Sequence, residues 1–348
     1  MNKIKLGFIG AGYMGQLAHL QNYIQLEDCE VVAVADSKAE QARKVAAAYG
    51  VPEVYADYND LLAREDIDAV VASQQYMNHV NIVPAVLNAG KHVMTEKPLT
   101  LFAENAMPLV ELAEKKGLIH MVGYHKRSDP ACELAKKYVR DAKASGAWGN
   151  LKYCRITMPP GDWVGGSKPA IMTNEAYPAI DWEKRPEGVD EELFGKYNTF
   201  VNYYIHQVNL MRYFLEEDFE ITYADKAGVL LVAETPSGIT GAIEMETYST
   251  SDDWQEKIMI CFERGYIEIA LPAPLASQQA GKLTVFTDMA GEGGKFVTHR
   301  LPNVHAMKNQ AANFVRAVAG EIEPPCRSSE AVKDLISAMD YVRMWMGR

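Results

Sequence analysis

The feature that most constrains this chain is an alternation that runs through its first 120 residues. Short apolar runs are each followed by a stretch with helical spacing. The apolar runs are "KIKLGFIG", "CEVVAVAD", "DIDAVVAS", "KHVMTEKP" and "LIHMVGYH". Between them lie "YMGQLAHLQNYIQL", "SKAEQARKVAAAYG" (stopped by Gly50), "HVNIVPAVLNAG" and "TLFAENAMPLVELAEKKG". Strands separated by helices of about 10–15 residues pair in parallel through right-handed crossovers. Strands that are apolar throughout belong in a sheet covered on both faces. The pattern predicts an α/β, doubly wound parallel sheet over residues 1–125.

The first strand runs into "GFIGAGYMGQ", in which Gly10, Gly12 and Gly15 have the spacing G-x-G-x-x-G. Alone that spacing is a weak signal, because any glycine-rich turn can produce it. Here it follows a strand, opens a helix, and is answered by Asp36 at the end of the next strand, 21 residues beyond Gly15. The first glycine serves the tight turn, the second lets backbone approach a pyrophosphate, and the third lets helix and strand pack closely. The helix N-terminus offers N–H groups to the anion. Asp36 can accept both ribose hydroxyls and repels a 2′-phosphate. The expected cofactor is therefore NAD, with NADP less favoured but kept open by Lys38.

The second half has another texture. "NLKYCRITM", "ITYADKAGVLLVAET", "ITGAIEMETYS", "EKIMICFERGYIEIAL" and "KLTVFTDM" carry turn signals between or within them, among them Asp225–Gly228 and Glu263–Gly265. They predict an α+β domain over 126–348 with a large, mostly antiparallel sheet. Helical patterns return across 304–346. Residues 158–198 hold five prolines together with Trp163, Tyr177, Trp182 and Tyr197. A loop that long inside a compact domain suits a lid, or a contact arm for oligomerisation.

Composition removes other classes. The chain has 348 residues, which suits two domains, and a net charge of −11. With no Lys/Arg-rich stretch, a nucleic-acid partner is not expected. The five cysteines form no C-x-x-C pair and read as reduced thiols, hence a cytoplasmic protein. No apolar run reaches the roughly 18–20 residues of a membrane helix, and glycines interrupt the N-terminal apolar stretch too early for a signal peptide. No metal site is expected.

Two further stretches carry chemistry. Glu96-Lys97-Pro98 ends the fourth apolar run, at the strand edge that faces the ligand crevice in open α/β sheets. Pro98 biases Lys97 toward an extended backbone. A partly desolvated lysine there can accept a proton, while a solvated Lys97 paired with Glu96 is the competing reading. In "FVNYYIHQVNLMRYFL", Asn202, His206 and Asn209 recur at helical spacing beside an apolar stripe. They mark a polar site on a helix, or an interior histidine with amide neighbours.

Taken together, "GFIGAGYMG", "VVAVAD", "AGKHVMTEKPLT", "HMVGYHKRSDPA", "GAWGNLKYCRI" and "NYYIHQVNLMRYF" resemble, in order, the Gfo/Idh/MocA family of NAD(P)-dependent oxidoreductases. The resemblance implies a Rossmann domain followed by a sheet domain that carries substrate, and a homodimer or higher oligomer formed through the open sheet face. It implies that Gly10, Gly12, Tyr13, Met14 and Gly15 hold phosphate, and that Asp36 and Ser37 hold ribose. Gln74, His79, Glu96, Lys97 and His125 would complete the cofactor site. Lys97 and His206 would be catalytic, with Asn202, His125, Arg127, Trp163 and Asn209 on the substrate. Two positions depart from the family: Gln74-Gln75 replaces a frequent Thr-Pro, and Asn202 replaces a frequent Asp four residues before the histidine. An amide takes no proton, so the departure moves weight onto Lys97 and His206 themselves.

The reaction so implied is oxidation of a secondary hydroxyl on a sugar, polyol or glycoside, with C3 of a glycoside as the finer expectation. An NAD-dependent, redox-assisted glycosidase and a non-catalytic NAD-binding regulator are the rival readings.

Overall fold

The computed structural model describes residues 3–246, 248–289 and 293–348, which form two compact units. The first comprises 1–124 together with 167–189 and 307–335. Its sheet has six strands: β1 (Ile4–Ile9), β2 (Cys29–Ala35), β3 (Glu53–Tyr55), β4 (Ala69–Ala72), β5 (His92–Glu96) and β6 (His120–Gly123). Their order is β3-β2-β1-β4-β5-β6 and every pairing is parallel. This is the doubly wound topology, with the order reversing at β1 and β4. Strand β3 is absent from the sequence reading. Its three residues, with Glu53 exposed, make no apolar run, and only pairing with β2 defines it.

The burial explains the strand composition. Leu6, Phe8, Val34, Val71 and Met94 sit in one core cluster; Ile9, Val32, Val70 and Val93 sit in another. Helix Ala39–Tyr49 ends at Gly50 (φ 71°) and helix Ala103–Lys116 at Gly117 (φ 64°). Both termini require a left-handed residue, which glycine supplies without a Cβ clash. The helix Ala306–Val318 adds Phe314 and Val315 to the core around Phe8 and Val34. A cut at residue 125 therefore does not separate the units. An amphipathic C-terminal helix has the same pattern whichever sheet it covers.

The second unit comprises 125–166, 190–306 and 336–348. It holds β7 (Leu151–Thr157), β8 (Glu220–Ala224), β9 (Leu230–Glu234), β10 (Thr240–Glu244), β11 (Glu256–Phe262), β12 (Gly265–Leu271), β13 (Lys282–Met289) and β14 (Gly293–His299). The order is β14-β13-β12-β11-β7-β10-β9-β8, antiparallel except for the parallel β7–β10 pair. Asp225 closes the first expected hairpin by accepting from the N–H groups of Ala227, Val229 and Leu230. Strand β14 and the helix Pro130–Ser145 are additions to the sequence reading. The helix has clear signals: an Asp129 cap on Ala131 N, Pro130 in the first turn, and left-handed Gly146.

The segment 158–198 is not one loop. Asp190 caps Leu193 N at 2.9 Å and starts a helix that runs from Glu191 to Leu215. The stretch 167–189 belongs to the first unit, and 158–166 to the second. Among the described residues no helix is long and apolar enough to cross a membrane.

Two interior histidines give the first unit a pH dependence. His79 is fully buried and its Nδ1–H donates to Leu99 O at 2.8 Å. Burial lowers its pKa to about 4. His120 lies beside Thr95 Oγ1, and burial, helped by the nearby His79, takes it down to about 3. The unfolded chain protonates both from about pH 6.5 downward, whereas the folded unit does not until far lower. Their contribution to stability is thus complete above pH 6.5 and shrinks on acidification, by about 2 kcal/mol each at pH 5. In the second unit, Asp129 acts in the opposite sense. Burial raises it to about 6 against hydrogen bonds from Ala131 and Gly281, so its contribution is lost as pH rises. Comparing His120→Gln with wild type isolates the histidine: the variant should lose about 2 kcal/mol less between pH 7.5 and 5, measured by urea unfolding. Parallel pH profiles would refute this account.

Candidate active site

In the first unit the three glycines do different work. Gly10 has φ 103°, and a Cβ there would lie 2.6 Å from Ser73 O. A Cβ on Gly15 would lie 2.4 Å from Gly10 O. Both positions are fixed by conformation or by close backbone approach. A Cβ on Gly12 would meet nothing within 4 Å. Gly12 therefore serves no packing within the chain, and it leaves room where a pyrophosphate approaches such a loop. Tyr13 and Met14 follow, half-buried, and enter a π-helical turn, Gly15–Leu20, continued by Gln21–Tyr23.

The loop is held rigid at Ala11. Its N–H donates to Asp36 Oδ2 at 2.7 Å, and its carbonyl accepts from Gln16 Nε2 (2.7 Å) and Gln41 Nε2 (3.0 Å). Asp36 Oδ1 accepts from Lys38 N at 2.9 Å. A carboxylate has about four acceptor sites, so two remain for ribose hydroxyls. Ser37 is exposed beside it, and Gln74 Nε2 packs against Gly10. These residues fit a nicotinamide dinucleotide: an open glycine, a helix N-terminus and an acid with spare acceptors.

Glu96 ends β5 and Lys97 follows it, at the carboxyl edge of the parallel sheet. Glu96 Oε1 pairs with buried His19 Nε2 at 2.5 Å, and Oε2 accepts from Lys97 N at 3.2 Å. Burial pushes the Glu96 carboxyl up, but the His19 hydrogen bond and the charges of His19 and Lys97 outweigh it and hold it below the ordinary range. His19 escaped the sequence reading, because its partner lies 77 residues away. Lys97 is half-buried, and its bond to Pro98 is cis. His79, expected at the cofactor, is enclosed instead, with its ring on the Leu99 carbonyl. It braces the chain just after Pro98.

The second unit begins with the turn His125–Ser128. The His125 and His206 rings meet edge to face, with centroids 4.7 Å apart. Asn202, one helical turn before His206, is exposed. Arg127 and Asn209 are paired with each other: Arg127 Nε donates to Asn209 Oδ1 at 2.6 Å and a terminal nitrogen donates to Asn209 O at 3.1 Å. Asn209 is 0% exposed. The pair ties the turn to the helix. Trp163 is exposed, and its carbonyl accepts from Leu275 N at 3.1 Å.

A buried polar cluster lies next in sequence to both histidines. Lys126 Nζ donates to Glu256 Oε1 (2.6 Å) and Oε2 (2.5 Å), and Gln207 Nε2 donates to Glu256 Oε1 (2.7 Å). Burial lowers the Lys126 pKa, against the pull of Glu256. Breaking such a pair strands a buried charge, so it fixes the backbone at 126 and 207 firmly. Its three members are scattered along the chain, and no spacing announced it.

Residues 4–124 match the family model of Gfo/Idh/MocA proteins, described as an oxidoreductase family with an NAD-binding Rossmann fold. The chain is 35% identical over 128 residues to the 4-carboxy-2-hydroxymuconate-6-semialdehyde dehydrogenase of Sphingobium sp., which covers 37% of this chain and 40% of that protein. It is 26% identical over 231 residues to the myo-inositol 2-dehydrogenase of Thermotoga maritima, covering 66% and 60%. These matches span less than two thirds of either relative. The solved UDP-N-acetylglucosamine 3-dehydrogenase of Acidithiobacillus ferrooxidans superposes with a TM-score of 0.70 at 18% identity, over 99% of this chain and 98% of that one. At that identity the likeness concerns the fold.

Proposed function

We propose that this chain, which belongs to the Gfo/Idh/MocA family of oxidoreductases, transfers hydride between a nicotinamide dinucleotide and a secondary hydroxyl of a sugar, polyol or glycoside. The observation that carries this reading is the His125–His206 pair, two imidazoles edge to face with Asn202 exposed one turn away. Such a site suits removal of a hydroxyl proton while a neighbouring amide grips a second hydroxyl. The likeness to a myo-inositol 2-dehydrogenase supports a polyol substrate. C3 of a glycoside is the finer assignment.

When bound, the nicotinamide supplies the electrophilic carbon that takes the hydride. Gly12 and the helix that follows it would hold the pyrophosphate, and Asp36 with Ser37 the ribose. Because Asp36 is an acid, NAD is preferred over NADP. His206 accepts the hydroxyl proton as the carbinol becomes a ketone. Lys97 serves the same proton-transfer step by stabilising developing negative charge on the substrate. His125 holds the His206 ring in orientation, and Asn202 binds a neighbouring hydroxyl. The protein assembles as a homo-oligomer through the open face of its large sheet.

The test is incubation with NAD⁺ and a panel of polyols, sugars and glycosides, following NADH absorbance and product mass. NADH together with a product two hydrogens lighter is expected. Released aglycone without NADH would replace this reading with a redox-assisted glycosidase. Tight NAD binding with no product from any compound would replace it with a regulator.

A further inference from the structure

The segment 167–189 is built onto the dinucleotide loop of its own unit. Gln16 brackets Ile171: its Nε2 donates to Ile171 O (2.8 Å) and its Oε1 accepts from Ile171 N (2.8 Å). Gln41 Oε1 accepts from Thr173 N at 3.1 Å. Glu175 accepts from the N–H groups of Glu40 and Gln41, both at 2.9 Å, at the start of helix Ala39–Tyr49. Further on, buried Glu183 accepts from Leu101 N and Phe102 N. The same two glutamines grip the Ala11 carbonyl between Gly10 and Gly12. The register of the segment is thereby locked to the phosphate loop.

That register brings Tyr177 to Lys38, whose Nζ lies 3.7 Å from the ring centroid. Lys38 follows Asp36 by two residues, and its own N–H is tied to the Asp36 carboxylate. Lys38 is 7% exposed although it lies two residues from the acid read as the ribose ligand. A cation there is what accommodates a 2′-phosphate in dinucleotide folds. Here the ammonium is taken up by an aromatic face, which attracts a cation without supplying a counter-charge.

We propose that Tyr177 is a specificity-determining residue. It sequesters the Lys38 ammonium and so denies it to the 2′-phosphate of NADP, adding to the repulsion from Asp36. The proposal rests on the reading of Asp36 as the ribose acid. It assigns part of 167–189 to cofactor selection rather than to covering substrate.

The experiment measures NAD and NADP dissociation constants by fluorescence for wild type, Tyr177→Ala, Tyr177→Phe and Tyr177→Ala/Lys38→Ala, with thermal unfolding as the folding control. Tyr177→Ala should bind NADP roughly tenfold more tightly, with NAD changed by less than about threefold. Tyr177→Phe keeps the ring and should behave as wild type. The double variant should lose the gain. If NADP affinity does not rise in Tyr177→Ala, or rises equally without Lys38, the proposal is overturned. Wild type that binds NADP at least as tightly as NAD would overturn the reading of Asp36. A Lys38-dependent gain in that same protein would still uphold the role of Tyr177.

Discussion

Replacement of His206 by alanine should lower kcat by roughly 10²–10⁴-fold, the scale of a lost general acid–base group. Lys97→Ala should do the same. The motivation is chemical. His206 stands in an edge-to-face pair with His125 on a helix whose neighbours Gln207 and Asn209 are locked into buried hydrogen bonds. Lys97 directly follows β5, with its backbone N–H on the Glu96 carboxylate that His19 also holds. If both serve one proton-transfer step, their losses do not add, and the double variant is little worse than the poorer single. NAD(P) affinity should move far less than turnover in all three. Steady-state kinetics at several pH values, with dinucleotide binding alongside, gives the answer. Near-normal turnover in His206→Ala would remove the histidine from the mechanism. Near-normal turnover in both singles would sink the site.

A second large effect separates two glycines three residues apart. Gly15→Ala places a Cβ 2.4 Å from the backbone oxygen of Gly10, which no side-chain rotation relieves. Helix and loop must part, at a cost of about 3 kcal/mol, the upper end for overpacking. The unfolding midpoint should fall by roughly 5–10 °C. Gly12→Ala meets no atom of the protein, so the midpoint should stay within about 1 °C while dinucleotide affinity falls at least tenfold, about 1.4 kcal/mol. Thermal unfolding without ligand, paired with NAD titration, distinguishes the two. Gly12→Ala that binds NAD normally would contradict the assignment of its open space to the pyrophosphate.

The sequence by itself determined the elements that local chemistry decides. Apolar strands such as "CEVVAVAD", glycine stops at Gly50 and Gly117, and the loop from Gly10 to Gly15 follow from side-chain burial and backbone sterics within a few residues. Each leaves its mark in the spacing, and so the parallel pairing and the position of Asp36 were legible. The elements missed were those without such a mark or passed over despite one. Strand β3 has only three residues, with no apolar pattern of its own. The helix Pro130–Ser145 carried a cap, a proline and a terminal glycine that the reading did not use.

What tertiary structure alone decided is partnership over long separations. His79 is fully buried with its ring on the Leu99 carbonyl, 20 residues further along the chain. Asn209 is held by Arg127, 82 residues earlier, through both its side chain and its carbonyl. Lys126, Gln207 and Glu256 form one buried cluster from three distant stretches. Residues 167–189 became a strap because Gln16 and Gln41 offer amides to its backbone. A buried polar group must find a partner, but nothing in its own neighbourhood along the chain says which one. That choice is made only when the core closes around it.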